Sequence, residues 1–231
     1  TEKLYVTPQI KRKKVIYKIE FFLSVFLICL LCSCYIYAEY DRNKSEQVSQ
    51  EILASIKYQQ DDTIKKADNN VIVVFLDKDE EKEHQEETPK MDTNTYVSTD
   101  GVEYTTEAIL KIPKIEIEYP ILSDTSPDLL FVSLNKFHGP KPNEVGNYCI
   151  AGHYYESGKM FGNLHKLQNG DIAELTDLSG RTIEYQVYDK FVVEPEDTRC
   201  TSQLTDGRKE LTLITCTNHG KQRLVVKLRE V

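Results

Sequence analysis

The carboxy-terminal half of the chain predicts an all-β domain, a closed barrel or a sandwich, held behind one apolar helix and an acidic spacer. Three observations predict it. From about Tyr104 short β-rich runs follow one another: "AILKI" (108–112), "IEIEYPIL" (115–122), "NYCIAG" (147–152), "IAELTD" (172–177), "TIEYQVYDKFVV" (182–193), "LTLIT" (211–215) and "RLVVKL" (223–228). Several alternate apolar and polar residues, the period of a strand with one buried face. Turn residues such as "PK", "SG" and "DG" separate them, and seven or eight short strands in about 125 residues fit a barrel or sandwich. Helix is sparse, expected only over 126–134 and as a turn around 160–167.

Ahead of this domain, residues 21–38 read "FFLSVFLICLLCSCYIYA", a stretch without a charge. That is about the minimum for a helix crossing a ~30 Å hydrocarbon core. "KRKK" (11–14) and Lys18 precede it, and Tyr35, Tyr37 and Tyr40 lie at its far end. Basic flanks stay cytoplasmic and aromatics favour the interface, so residues 1–20 are expected inside and everything after Ala38 outside. A cleaved signal peptide has a shorter apolar core ending in a small-x-small site, which Cys32-Ser33-Cys34 matches poorly.

Residues 39–103 are expected to hold a juxtamembrane helix and a linker, with the barrel occupying 104–231. Val48, Ile52 and Ile56 recur every fourth residue among polar neighbours, the stripe of a short amphipathic helix. "VIVVFL" (71–76) is strand-like but has no evident partner. Residues 77–92 carry eight acids against three bases and almost nothing apolar. Such a segment buries too little surface to offset its ordering entropy.

A formal net charge of −8 argues against a nucleic-acid partner. Of six cysteines, three crowd into the apolar segment, while Cys149, Cys200 and Cys216 lie far apart with no zinc-like spacing. Cys216 is the informative one. If "LTLIT" and "RLVV" form a hairpin with Asn218-His219-Gly220-Lys221 as its loop, Thr217 faces Gln222 and Cys216 faces Arg223. Directly opposed residues share a face, with Cβ atoms ~5 Å apart. A fixed cation there favours the thiolate and steadies an oxyanion formed when that thiolate attacks a carbonyl. Expelling an amine also needs an acid, and histidine is the usual choice. Among five histidines, His153 stands out: it follows "NYCIAG" at a strand end and opens the loop "HYYESGKMFGNL". His84 falls in the acidic linker, His138 before a Pro-rich loop, His165 in a helical turn and His219 at the hairpin tip. Taken singly, Cys216 reads as a buried small hydrophobe, Arg223 as a solvated charge and His153 as a loop histidine with a hydrogen bond.

"TLITC", the Arg in "RLVV" and "IAGHYYESGKMFGNLHKLQNGD" resemble the signature segments of sortases, membrane-anchored cysteine transpeptidases of Gram-positive bacteria. "ILKIPKIEIEYPIL" resembles the opening strands of that family's catalytic domain, and the similarity runs from about Ala108 to the end. The resemblance implies an eight-stranded β-barrel with Cys216 as nucleophile, His153 as general acid/base and Arg223 as the group that positions substrate and stabilises the oxyanion. It gives Thr215 a supporting substrate contact. It also implies cleavage of an LPXTG-type sorting signal between Thr and Gly, a thioacyl-enzyme, and transfer to an amine of peptidoglycan precursor or a pilin lysine.

No cofactor is expected; calcium, known in some sortases, would draw on Glu144, Glu194 and Glu196. The segment from Glu194 to Glu210 is too short for the helical insertion of class B. No Asp-Pro-aromatic lid precedes the barrel, and only Arg229 to Val231 follow Leu228, so no C-terminal membrane segment is expected. These features favour a class D-like or housekeeping-type enzyme. Two other readings stand beside it: a membrane-tethered barrel that binds peptides without turnover, and a thiol endopeptidase that only hydrolyses.

Overall fold

The structure, a computed structural model, describes residues 8–69, 94–99 and 101–231. Two compact units divide between Lys44 and Ser45. The first is helical, the opening part of helix α1 (Pro8–Asn69). Its Phe21, Phe22, Phe26, Leu31 and Tyr37 are all exposed. Mean hydropathy reaches 2.4 over an 18-residue window, so this is a helix long and apolar enough to cross a membrane.

The second unit holds the rest of α1 and nine strands. These are β1 (Asn94–Val97), β2 (Glu103–Ile112), β3 (Ile117–Leu122), β4 (Leu134–His138), β5 (Gly146–Ala151), β6 (Ile172–Asp177), β7 (Thr182–Val193), β8 (Lys209–Thr217) and β9 (Gln222–Glu230). Their hydrogen-bonded order is β1-β2-β3-β4-β5-β8-β9-β7-β6, and β6 pairs back onto β2. The eight strands from β2 onward therefore close a barrel, which leaves no free edge. Thr106 pairs with both Asn94 and Leu122, so β1 and β3 lie on opposite edges of β2. β1 thus occupies the first half of the edge that β6 takes up from Ala108. The sheet begins ahead of Tyr104.

Alternation along each strand fills the barrel. Leu211, Leu213 and Thr215 of β8 face Leu228, Val226 and Leu224 of β9, and these apolar side chains join Leu110, Ile121, Tyr148, Ile150 and Leu175 in the core. Residues between them point outward, where the chemistry lies. A one-residue slip would exchange the two faces, so burial of the leucines fixes the register. β4, absent from the strands read in the sequence, has only Leu134 and Asn135 fully buried and ends in half-exposed Phe137 and His138. Its alternation is too short to register as a pattern.

A parallel step from β3 to β4 runs through helix α2 (Pro127–Val132). Ser126 caps it, its Oγ accepting from the Leu129 N–H at 3.1 Å, with Pro127 in the first turn. The stripe Val48, Ile52 and Ile56 belongs to α1 itself. Ile52, Leu53 and Ile56 are buried against Ile109 and Leu122 of the barrel and Leu129 and Val132 of α2. Burial of each such side chain stabilises by about 1.5–3 kcal/mol. The stripe read as a membrane-proximal helix is therefore a face that the barrel covers. "VIVVFL" and the acidic 77–92 segment with His84 lie outside the described residues.

Candidate active site

The β8–β9 hairpin sets the first two groups. Its loop turns through positive φ at Asn218 (49°), His219 (54°) and Gly220 (83°), a run suited to Asn and Gly. Thr217 opposes Gln222 and Cys216 opposes Arg223 across the ladder, the pairing expected from the loop length. Because Thr215 points inward, Cys216 and Arg223 point outward, and both are half-buried. The Arg223 guanidinium is tethered through one nitrogen: Nη1 donates to the Gly220 carbonyl at 2.8 Å and to the Gln222 carbonyl at 3.1 Å. Among the described residues its other nitrogens make no hydrogen bond, and Arg223 lines a cavity.

β5 brings the histidine. It runs parallel to β8 with Ala151 level with Ile214. Two bonds carry that alignment further: Gly152 N–H to the Ile214 carbonyl (3.1 Å), and Thr215 Oγ1 to the Gly152 carbonyl (2.8 Å). His153 leaves the strand end at the level of Cys216, on the neighbouring strand, where strands lie ~4.8 Å apart. Gly152 is required there. A Cβ would stand 2.5 Å from Leu134 Cδ2 and 2.7 Å from Phe161 Cδ2.

The imidazole of His153 lies against two rings, Phe131 (centroids 4.7 Å apart, planes tilted 35°) and Tyr155 (5.6 Å, 50°). Burial lowers its pKa below the ordinary histidine value, since a low-dielectric surrounding disfavours the imidazolium. Its Nε2 is buried without a hydrogen-bond partner among the described residues. Burial therefore favours the neutral ring, and Nε2 is left open to a proton partner from outside the described residues.

A cavity of about 220 Å³ is lined by His153, Thr215, Cys216 and Arg223 together with apolar Leu130, Phe137, Val193, Pro195 and Ile214. Thr215 is buried, and its hydroxyl proton is committed to Gly152, so it braces the Cys and His strands against each other. The other histidines lie elsewhere: His138 ends β4, His165 contacts the Gly162 carbonyl through Nδ1 (3.1 Å), and His219 sits in the hairpin loop. Cys149 is fully buried, and burial pushes its thiol up to about 12. Cys200 lines the same cavity, with its thiol also raised by burial.

The far wall is the segment between β7 and β8, which carries one 3-10 turn, Arg199–Thr201. A polar latch holds it. Asn147 Nδ2 donates to the Cys200 and Ser202 carbonyls (2.9 and 3.1 Å), while the Gln203 side chain pairs with the Asn147 backbone N–H (3.0 Å) and carbonyl (2.9 Å). Lys227 Nζ adds a bond to the Cys200 carbonyl (3.3 Å) and is itself held by Thr212 Oγ1 (2.9 Å) and an ion pair with Glu210 (3.3 Å). Sequence patterning could not show this latch or the Phe131–His153 contact, since the partners come from separate elements.

A family model described as a sortase domain matches residues 110–231. The chain belongs to the sortase family. Sortase A of Bacillus anthracis is 33% identical over 112 residues, 46% of this chain and 50% of that protein. Sortase D of Bacillus subtilis (strain 168) is 31% identical over 109 residues, 47% of this chain and 52% of that protein. Among solved structures, a Clostridium perfringens Sortase D5 transpeptidase aligns with a TM-score of 0.50 and 34% identity, over 55% of this chain and 79% of that one. The chain spans about half the length of these curated relatives.

In this sortase barrel the matched segment contains β5, β8, β9 and every cavity-lining residue named above. Glu194 accepts from Gln222 Nε2 at 2.9 Å. Among the described residues no group of three or more His, Cys, Asp or Glu side chains is placed to hold a metal.

Proposed function

We propose that this chain is a membrane-anchored cysteine transpeptidase of class D-like or housekeeping type, which cleaves an LPXTG-type signal between Thr and Gly. One observation carries the reading: Cys216, Arg223 and His153 come from three strands or strand ends and line a single cavity. In the proposed reaction the Cys216 thiol gives its proton to neutral His153 as sulfur attacks the threonyl carbonyl carbon. The oxyanion forms against the untethered N–H groups of Arg223. His153 then donates the proton to the departing glycyl amine, the C–N bond breaks and a thioester remains. An acceptor amine, on a peptidoglycan precursor or a pilin lysine, attacks the thioester and releases Cys216. The apolar wall of Leu130, Phe137, Val193 and Ile214 suits the Leu-Pro end of the signal. The apolar part of α1 serves as anchor, with residues 1–20 in the cytoplasm and the barrel outside; cleavage of the barrel from intact protoplasts by added protease checks this orientation.

Mass-spectrometric trapping with an LPXTG-type peptide, with and without an added amine, tests the chemistry. The expected result is a thioester on Cys216, resolved onto the amine. Product that appears only as free acid points to an endopeptidase. Binding without any acyl-enzyme points to an inactive barrel.

A further inference from the structure

The imidazole of His153 has no hydrogen bond to Nε2 among the described residues, so no carboxylate orients it through that nitrogen. Its position is set by its backbone and by the two rings beside it. What fixes those walls therefore fixes the histidine. Both walls lead to the same element, the part of α1 within the second unit.

One route passes through Tyr119, a β3 residue only 4% exposed. Its hydroxyl donates to the Glu46 carboxylate of α1, 2.9 Å from each oxygen, and accepts from the Met160 N–H at 3.3 Å. Met160 is buried in a left-handed conformation (φ 48°) and bridges to Tyr154, the residue after His153. The next residue, Phe161, donates its N–H to the His153 carbonyl at 3.1 Å. The loop that carries His153 and Tyr155 is thus pinned on Tyr119, and Tyr119 is aimed by Glu46. A second route passes through Ser49, fully buried, whose Oγ donates to Ser133 Oγ at 3.0 Å. Ser133 donates in turn to the Pro120 carbonyl (2.6 Å) and caps the C-terminus of α2, which carries Phe131. Ile52 and the buried stripe pack on Leu129 and Val132 of the same short helix.

We propose that this face of α1, through Glu46 and Ser49, is a positioning element for His153, so that the helix leading from the anchor sets catalytic competence as well as location. A face serving only adhesion would be better apolar, because buried hydroxyls and carboxylates stabilise only when paired. Glu46 and Ser49 are each paired with a residue that leads to one wall of the histidine, whereas Glu51 pairs with Tyr96 of β1 and Lys57 with Glu118. The turnover consequence rests on the transpeptidase reading; the geometric coupling does not.

The test uses the full chain in detergent micelles, with ¹⁵N-histidine labelling and the His153 ring signals assigned by difference from His153→Gln. Glu46→Ala and Tyr119→Phe are expected to shift or broaden the His153 signals while those of His138 and His219 stay in place. Turnover of an LPXTG-type peptide should lose kcat by about 10- to 100-fold, the range for slight misplacement of a reacting group, with KM nearly unchanged. Glu46→Gln keeps an acceptor for the Tyr119 hydroxyl and should restore most of the loss. The double variant Glu46→Ala/Tyr119→Phe should be no worse than the poorer single one. Unchanged His153 signals in the folded variants overturn the proposal, as does a uniform shift of all three histidines, which marks general loosening. Wild-type protein that forms no acyl-enzyme would sink the transpeptidase reading, and the ring signals would still decide the coupling.

Discussion

The hydroxyl of Thr215 donates to the carbonyl of Gly152 at 2.8 Å, joining the residue before Cys216 to the residue before His153. Strand β5 ends just before this level on its parallel neighbour β8, and the bond holds His153 and Cys216 in step. Thr215→Val keeps shape and burial while removing the donor. It should cost about 1 kcal/mol of stability, the net worth of one such bond, measured by urea unfolding. Its kcat should fall with KM little changed; a change in KM alone would show that Thr215 acts on the substrate instead.

The pH dependence follows from the contacts of His153 with Phe131 and Tyr155. Burial places the folded-state pKa of His153 below its unfolded value of 6.5. The stability tied to neutral His153 is therefore present above that value and lost as pH falls through the folded pKa. For the same reason the acid limb of kcat/KM should lie below 6.5. Phe131→Ala opens the imidazole to water, so the limb should move up toward the ordinary value. A limb unmoved in that variant would assign it to another group.

Arg223→Lys tests the fork. The guanidinium spends Nη1 on the Gly220 and Gln222 carbonyls, so the proposed oxyanion contact falls to its other N–H groups. An ammonium is a point charge without that geometry. Activity should fall by about 10²–10³-fold in kcat, as for loss of an oxyanion donor. Near wild-type turnover would reduce the role of Arg223 to its charge.

The latch on the β7–β8 segment makes a different prediction. Asn147→Ala removes one of two donors to the Cys200 carbonyl, the side-chain donor to the Ser202 carbonyl and the acceptor of the Thr212 hydroxyl proton. Thr212 is fully buried, and a buried hydroxyl that loses its acceptor costs about 1–3 kcal/mol. The segment lines the cavity, so KM for the peptide should rise more than kcat falls. Equal losses in both would place the effect on the catalytic groups.

Thiol accessibility separates the cysteines. A small alkylating reagent at neutral pH should modify half-buried Cys216 ahead of Cys149, which is fully buried and whose thiol is pushed up to about 12. Peptide mapping of the labelled protein reads the order, and early label on Cys149 would contradict the described burial.

Local patterning carried much of this protein. The uncharged run at 21–38 marks an apolar helix, alternation with turn residues marks an all-β domain, and the four residues between Thr217 and Gln222 set Cys216 opposite Arg223. Each of these is decided within one segment or one hairpin, where periodicity and turn chemistry act over a few residues. The β5–β8 pairing joins residues more than sixty apart, and only burial of the whole inner face selects it. Strand β4 was invisible because five residues with two buried positions carry too little alternation. The stripe Val48–Ile52–Ile56 announced a buried face but could not name its cover. That answer required Ile109, Leu122 and α2 to be folded into place, because an apolar stripe specifies that it must be covered and leaves open by what.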